Sequence, residues 1–144
     1  MSSGATQADD LGEITILVYS DDKQVREDVI RTLGTRPAQD LPRLDFLEVA
    51  TEPAVYHHLN KKNHDIALVI LDAEATPAGG MGIARQMKDE IHNAPPTLLL
   101  LARTVDMWLA TWSRADAAVT QPVEPTALVD TVVALLRRTL TVSA

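Results

Sequence analysis

A chain of 144 residues that is 46% hydrophobic and 3% aromatic is long enough for one domain with a core of aliphatic side chains. Its formal net charge of -7 disfavours binding to nucleic acid or to anionic lipid, because both need clustered Lys and Arg. The absence of cysteine excludes a disulfide framework, a thiolate nucleophile and any Cys-ligated metal site, and we expect a cytoplasmic protein.

The first predicted element begins after a polar N-terminal stretch. Residues 1–12 are small and polar, and we expect them to form a disordered tail. They lack the basic and apolar regions of a signal peptide, and no apolar run approaches the length of a membrane span, so we expect no membrane insertion. The pattern places a single domain at residues 13–140 and a short C-terminal tail at residues 141–144.

Within this domain, short apolar runs alternate with segments of helical spacing. Asp22, Gly34 and Pro125 have the residue types expected at helix ends. Five strands alternating with five helices predict an α/β fold with a doubly wound five-stranded parallel sheet, in which functional residues follow the strands. The predicted strands, of which the second and fifth lie nearer the sheet edges, are Ile14–Tyr19, Leu44–Val49, Ile66–Leu71, Leu98–Leu101 and Ala117–Val119.

The residues at the strand ends are arranged as in a known family. From Glu13 to Leu140 the chain resembles the receiver domain of bacterial two-component response regulators, through LVILDAEATPAGGMG, TLLLLAR and ADAAVTQPVEPTAL. The resemblance implies a flavodoxin-like topology. It also implies the family's site: an aspartate that accepts a phosphoryl group, an acidic pair that holds Mg²⁺ with it, a Ser or Thr and a Lys that contact the acyl phosphate, and an aromatic switch residue.

The resemblance places Asp72 at the phosphoacceptor position and Asp21 at the second acidic position, where the two would form a weak Mg²⁺ site at best. We expect no other cofactor. The remaining positions depart from the family pattern. These degenerate positions are Ser20 for the first acid, Leu101 for the hydroxyl residue, Ala118 for the aromatic residue and Gln121 for the lysine.

The departures remove groups that phosphoryl transfer requires. Transfer to a carboxylate depends on cations and hydrogen-bond donors that neutralise the transferring oxygens. Leu101 donates no hydrogen bond from its side chain, and Gln121 carries no charge. The sequence therefore predicts a receiver without a working phosphoswitch.

Two alternatives remain open at this site. In a register shifted by one residue, Asp21 and Asp22 would form the acidic pair, at the expense of the family's spacing to Arg26. Asp72 itself is either a slowly phosphorylated acceptor or a polar residue that hydrogen-bonds nearby groups at the strand end.

Two tryptophans stand out on the predicted fourth helix, Thr104–Trp112. Trp108 and Trp112 are four residues apart and share a stripe with Val105. They form either a hot spot for a protein partner or part of the core. The corresponding helix belongs to the usual docking face of receivers, which favours an interface.

We interpret the chain as an atypical single-domain receiver that acts as a protein-interaction module and not as an enzyme, in a regulatory or accessory role within a larger assembly. Its similarity to orphan actinobacterial receivers implies an association with the respiratory NADH:quinone oxidoreductase, complex I, and hence a place at the periphery of the inner membrane. The alternative is a phosphorelay receiver with Asp72 as acceptor and a sensor histidine kinase as partner. A third hypothesis, a small enzyme using the same cleft, has no base and nucleophile pair to support it.

Overall fold

The computed structural model describes residues 11–61, 64–102 and 106–143, the last three by their backbone only. Most of the predicted N-terminal tail, residues 1–10, lies outside the described residues. Within them, five strands and five helices alternate. The strands are β1 (Glu13–Tyr19), β2 (Arg43–Val49), β3 (Ile66–Asp72), β4 (Thr97–Leu101) and β5 (Ala117–Thr120), and the helices are α1 (Lys23–Leu33), α2 (Glu52–Leu59), α3 (Gly80–Glu90), α4 (Met107–Ser113) and α5 (Pro125–Ser143).

The strands form one parallel sheet in the order β2-β1-β3-β4-β5. This arrangement confirms the predicted doubly wound, flavodoxin-like fold. The order reverses at β1, which pairs with β2 on one side and β3 on the other. The carboxyl ends of β1 and β3 are therefore adjacent, at the point where an open α/β sheet has its functional crevice.

The predicted signals at the helix ends are confirmed. The Asp22 side chain accepts a hydrogen bond from the backbone N–H of Gln24 at the start of α1. That helix ends at Gly34, which has a φ of +63° and thus takes a left-handed conformation that favours glycine. Pro125 is the first residue of α5, where its missing N–H leaves no helical hydrogen bond unmade.

An apolar layer covers each face of the sheet. Along β1, Ile16 and Val18 contribute to one layer and Leu17 and Tyr19 to the other, as alternating strand side chains must. Helices α1 and α5 close the first layer, and α2 and α3 close the second. Because β1, β3 and β4 are covered on both faces, their sequences show continuous apolar runs instead of alternation.

The long connection between α1 and β2 is anchored to the last helix. Leu41 is buried in the core beside α5. Arg137 donates two hydrogen bonds of 2.9 Å to the Asp40 carboxylate, one from Nε and one from Nη2. These bonds hold the pKa of Asp40 below its ordinary value. The loop is thus held in place by one apolar residue and one bidentate ion pair.

The predicted C-terminal tail at residues 141–144 is wrong for its first three residues, because α5 continues to Ser143. No Gly or Pro follows Pro125 in the sequence to end the helix. None of the helices in the described part of the chain is long and apolar enough to cross a membrane.

Candidate functional site

The candidate site lies at the carboxyl ends of β1, β3 and β5. Asp72 is the last residue of β3 and is only 3% exposed. The Ser20 hydroxyl, directly after β1 and fully buried, donates to Oδ2 of Asp72 at 2.7 Å. The Gln121 amide, directly after β5, donates through Nε2 to Oδ1 of Asp72 at 2.9 Å. The parallel sheet therefore brings together three residues that are about 50 positions apart in the chain.

A third donor to Asp72 is the backbone N–H of Glu74, which donates to Oδ1 at 2.8 Å. We call the three donors, namely the Ser20 hydroxyl, the Gln121 amide and the Glu74 N–H, the Asp72 cradle. Ser20 Oγ is itself fixed by the N–H of Asp22 at 3.0 Å, and Gln121 Nε2 lies 3.3 Å from the Leu100 carbonyl oxygen. All three donors are neutral, so the cradle holds the buried carboxylate through hydrogen bonds from uncharged groups.

The two acidic residues after Ser20 have other partners. Asp21 accepts a hydrogen bond of 3.0 Å from the Thr76 hydroxyl, and Asp22 caps α1. It is Ser20 that contacts Asp72, so the register shifted by one residue, with Asp21 and Asp22 as the acidic pair, is wrong. The Asp22 carboxylate is directed to the start of α1, where its Oδ1 accepts from the Gln24 N–H at 2.9 Å.

The contacts of Arg26 show why the spacing between Asp21 and Arg26 matters for the position of Ser20. Its Nη1 donates to the Ser20 carbonyl oxygen at 2.6 Å, and its Nε contacts the Glu48 carboxylate at 3.1 Å. The guanidinium thus ties the residue that faces Asp72 to the end of β2. A charged group that spans two strand ends fixes the backbone at Ser20 in one position.

The residues of the cradle fit Mg²⁺ poorly. The ion requires a nearly octahedral set of oxygen ligands, with carboxylates as the protein's usual contribution. Both Asp72 oxygens already accept hydrogen bonds, Asp21 faces Thr76, and Ser20 offers only a hydroxyl. Within the described ranges, no group of three or more His, Asp or Glu side chains is arranged to hold a metal ion.

Leu101 and Ala118, which the resemblance aligns with the family's hydroxyl and aromatic residues, are packed and apolar. Leu101 is fully buried in the layer beneath α2 and α3, and only its backbone carbonyl faces the site, where it accepts from the Gln121 N–H at 2.7 Å. Ala118 packs against the same layer and has only a methyl group. Neither side chain can change hydrogen-bond partners, because neither has a polar group.

Sequence reasoning missed Tyr19, which links β1 to the loop after β3. Its hydroxyl donates to the Ala78 carbonyl oxygen at 2.5 Å, and the ring is 1% exposed. Burial raises the pKa of this phenol, with a further contribution from Asp21. A tyrosine at the end of a buried strand was the available signal, since a buried hydroxyl needs a partner.

Gly80, the first residue of α3, lets the start of this helix pass close to the end of β3. A Cβ on Gly80 would lie 2.8 Å from Leu71 Cβ and 2.9 Å from the Asp72 carbonyl oxygen. A Cβ on Gly82, two residues further along the same helix, would meet nothing within 4 Å. The backbone of α3 can therefore pass the end of β3 at this distance only where the side chain is absent.

These glycines give a matched pair of variants. We expect Gly80→Ala to lower the free energy of unfolding by about 2 kcal/mol through overpacking against β3. Gly82→Ala should raise it by up to about 1 kcal/mol, because alanine favours a helix interior. Urea unfolding followed by circular dichroism measures both. Equal effects of the two substitutions would show that the close approach at Gly80 does not matter.

The two tryptophans lie on the surface of α4. Trp108 is 70% exposed and Trp112 is 51% exposed, so the alternative that they belong to the core is wrong. The Arg85 guanidinium lies 4.8 Å from the centre of the Trp112 ring and donates from Nη1 to the Trp112 carbonyl oxygen at 2.7 Å. Thr104 and Val105 lie outside the described residues, and α4 begins at Met107.

A doubly wound sheet with a buried aspartate at the end of its third strand defines the class of α/β domains that includes signalling receivers. No protein-family model matches the chain. Two uncharacterized response regulatory proteins of Mycobacterium tuberculosis, from strains CDC 1551 and H37Rv, are each 55% identical to it over 124 residues, which is 86% of this chain and 92% of theirs. The chain therefore belongs to the response regulator family and has the fold of its receiver domain.

Solved structures support the same fold. The response regulator DrrB of Thermotoga maritima is 24% identical with a TM-score of 0.67, and the match covers 88% of this chain but 54% of that one. The chain thus spans about half the length of DrrB. The receiver domain of the Francisella response regulator 1452 is 19% identical with a TM-score of 0.71, covering 88% of this chain and 98% of that one. A CheY-like receiver domain protein from Methanospirillum hungatei, 16% identical, has a TM-score of 0.66 and covers 90% of this chain and 98% of its own.

Proposed function

We propose that this protein is an atypical receiver that works as a protein-interaction module independently of phosphorylation, as an accessory or regulatory subunit of a larger assembly. The Asp72 cradle is the observation that carries the proposal. Its three neutral donors satisfy the carboxylate in the unmodified protein. A carboxylate that is already satisfied gains little from binding Mg²⁺, and the cradle lacks the cations that a transferring phosphoryl group needs.

The packing behind the cradle supports the same proposal. A switch requires an element with two states whose free energies the modification changes differently. Leu101 and Ala118 stand where the family has a hydroxyl and an aromatic ring, and both lie against the apolar layer under α2 and α3. With no polar group to reach a phosphoryl oxygen, these side chains cannot report that Asp72 has been modified.

The exposed tryptophans of α4 would supply the docking surface for such a partner. Trp108 is 70% exposed and Trp112 is 51% exposed, and their spacing of four residues places them on the same side of this helix. Tryptophan is enriched among the hot-spot residues that contribute most of the binding energy of protein interfaces. Two exposed tryptophans one turn apart favour a protein partner, since covering the rings removes apolar surface from water.

The partner to test first is a subunit of the respiratory NADH:quinone oxidoreductase, which the resemblance to orphan actinobacterial receivers suggests. Docking there would place the protein at the periphery of the inner membrane through a protein contact. An acidic domain with a net charge of -7 would complement a basic surface on such an assembly.

The proposal is tested by affinity purification of the tagged protein from gently solubilised cells, with the bound subunits quantified by mass spectrometry. We expect the wild type and Asp72→Asn to recover the same partner at the same ratio, and Trp108→Ala/Trp112→Ala to lose at least roughly 90% of it, as expected for hot-spot residues. Leu11→Ala is the matched control, because Leu11 is an exposed apolar residue far from α4 in the sequence. A partner that disappears with Asp72→Asn would overturn the proposal.

One observation favours a second function, a phosphorelay receiver. The resemblance aligns Asp72 with the family's acceptor aspartate, and Asp72 is the last residue of β3. In that case the purification would recover a sensor histidine kinase, and this recovery would depend on Asp72. The same purification therefore separates the two functions.

A further inference from the structure

A groove opens beside the Asp72 cradle, between α1 and the connection from β5 to α5. Its volume is about 340 Å³, at the lower end of the range of small-molecule pockets, which is on the order of 300–1,000 Å³. This space suits one long side chain better than a nucleotide or another cofactor. The lining residues are Val25, Asp28, Glu74, Ala102, Gln121, Pro122 and Val123.

The lining combines an apolar wall with negative charge. Val25, Pro122 and Val123 supply apolar surface. Asp28 and Glu74 supply two carboxylates, and no Lys or Arg is among the described residues that line the groove. An occupant with an aliphatic stem and a positively charged head would match both parts.

The two carboxylates differ in how far they are already paired. Gln24 and Arg31 both donate to Oδ1 of Asp28. The Glu74 carboxylate, in contrast, accepts no hydrogen bond from a side chain of the described residues, and Glu74 is exposed. Glu74 is therefore the carboxylate that would gain most from a cation brought by another molecule.

We propose that this groove accepts a Lys or Arg side chain of a protein partner, with its methylenes against Val25, Pro122 and Val123 and its charged head at Glu74. The proposal deepens the proposed function and rests on it, because it assigns a recognition element to the docking partner. Anionic ligands are disfavoured by the two carboxylates. A purely apolar side chain would match the apolar wall of the groove but would give neither carboxylate a new partner.

The groove also adjoins the cradle. Gln121 contributes both to the lining and, through its amide, to the hydrogen bonds on Asp72. A cation at Glu74 would thus lie on the side of the site from which Gln121 contacts the buried carboxylate.

The experiment uses a fragment probe in place of the partner. The full chain, labelled with ¹⁵N, is titrated with n-butylguanidinium, and the backbone amide shifts of the groove residues are followed by NMR. We expect saturable shifts at Glu74, Ala102, Gln121 and Val123, with a Kd on the order of 1–10 mM for so small a ligand. The uncharged n-butylurea should bind at least roughly threefold more weakly, since one partly exposed ion pair contributes that much.

Two substitutions complete the test. Glu74→Gln should raise the Kd of n-butylguanidinium roughly threefold. Glu27→Gln removes an exposed acid of α1 that does not line the groove, so it should leave this Kd unchanged. Equal binding of butylurea, equal effects of the two substitutions, or shifts confined to other residues would overturn the inference. Because no partner is present, failure here leaves the proposed function to be decided by the purification alone.

Discussion

The wild-type chain should gain no phosphoryl group on Asp72 when it is incubated with acetyl phosphate and Mg²⁺. The cradle presents a hydroxyl, an amide and a backbone N–H, and none of them carries the positive charge that stabilises phosphoryl transfer. Loss of one such stabilising group typically slows a reaction by about 10²–10³-fold, and here a carboxylate, a hydroxyl and a lysine are replaced together. Intact-protein mass spectrometry would detect the added phosphoryl mass.

A variant that restores the family residues gives the positive control. Ser20→Asp/Leu101→Thr/Gln121→Lys should become labelled under the same conditions, and the additional change Asp72→Asn should abolish that labelling. Because Leu101 is fully buried, circular dichroism must show that the variant is folded. Labelling of the wild type that disappears with Asp72→Asn would contradict the proposed function directly, without reference to the variant.

Asp72→Ala should lower the free energy of unfolding by about 3 kcal/mol. The substitution leaves the fully buried Ser20 hydroxyl without its acceptor, and an unsatisfied buried donor costs about 1–3 kcal/mol. The part-buried Gln121 amide also loses its bond to Asp72 and keeps only the longer contact of 3.3 Å to the Leu100 carbonyl oxygen. Asp72→Asn should cost only about 1 kcal/mol, because the amide oxygen still accepts and the Ser20 oxygen can accept from the amide N–H. Urea unfolding at pH 7, followed by circular dichroism, measures all three proteins.

The control for this series is Asp21→Ala. Asp21 is an exposed acid at the same edge of the sheet with one side-chain hydrogen bond, from Thr76, so its loss should cost less than about 1 kcal/mol. If repulsion between Asp72 and neighbouring acids outweighed its hydrogen bonds, removing the Asp72 carboxylate would stabilise the protein. Stabilisation by Asp72→Ala would therefore refute the account of the cradle given above.

Most of the fold followed from the sequence because three strands are covered on both faces. The apolar runs of β1, β3 and β4 predicted their positions to within one residue at each end. Polar residues at the strand starts, Glu13, Arg43 and Thr97, were left out because hydrophobicity does not register them, although two of them pair across β1 and β2. The end of α5 was misplaced because a polar tail was expected where no residue stops the helix.

The sequence predicted which residues form the site, but it did not predict the hydrogen bonds between them. The family resemblance named Ser20, Asp72 and Gln121, but which atoms donate to which carboxylate oxygen depends on the twist and register of three strands. Side-chain spacing also could not decide whether Trp108 and Trp112 face the core, because both faces of a short helix can carry apolar residues. The partner of Tyr19, 59 residues away, was equally out of reach.

The placement of the tryptophans on α4 has a spectroscopic consequence. The chain contains two tryptophans, and both are exposed to solvent. Their fluorescence should already emit at the long wavelengths typical of indole in water, so unfolding will change it little and circular dichroism is the better probe of stability. Burial of either ring by another protein should shift the emission to shorter wavelengths. The native chain thus carries its own optical reporter for complex formation, with no label added.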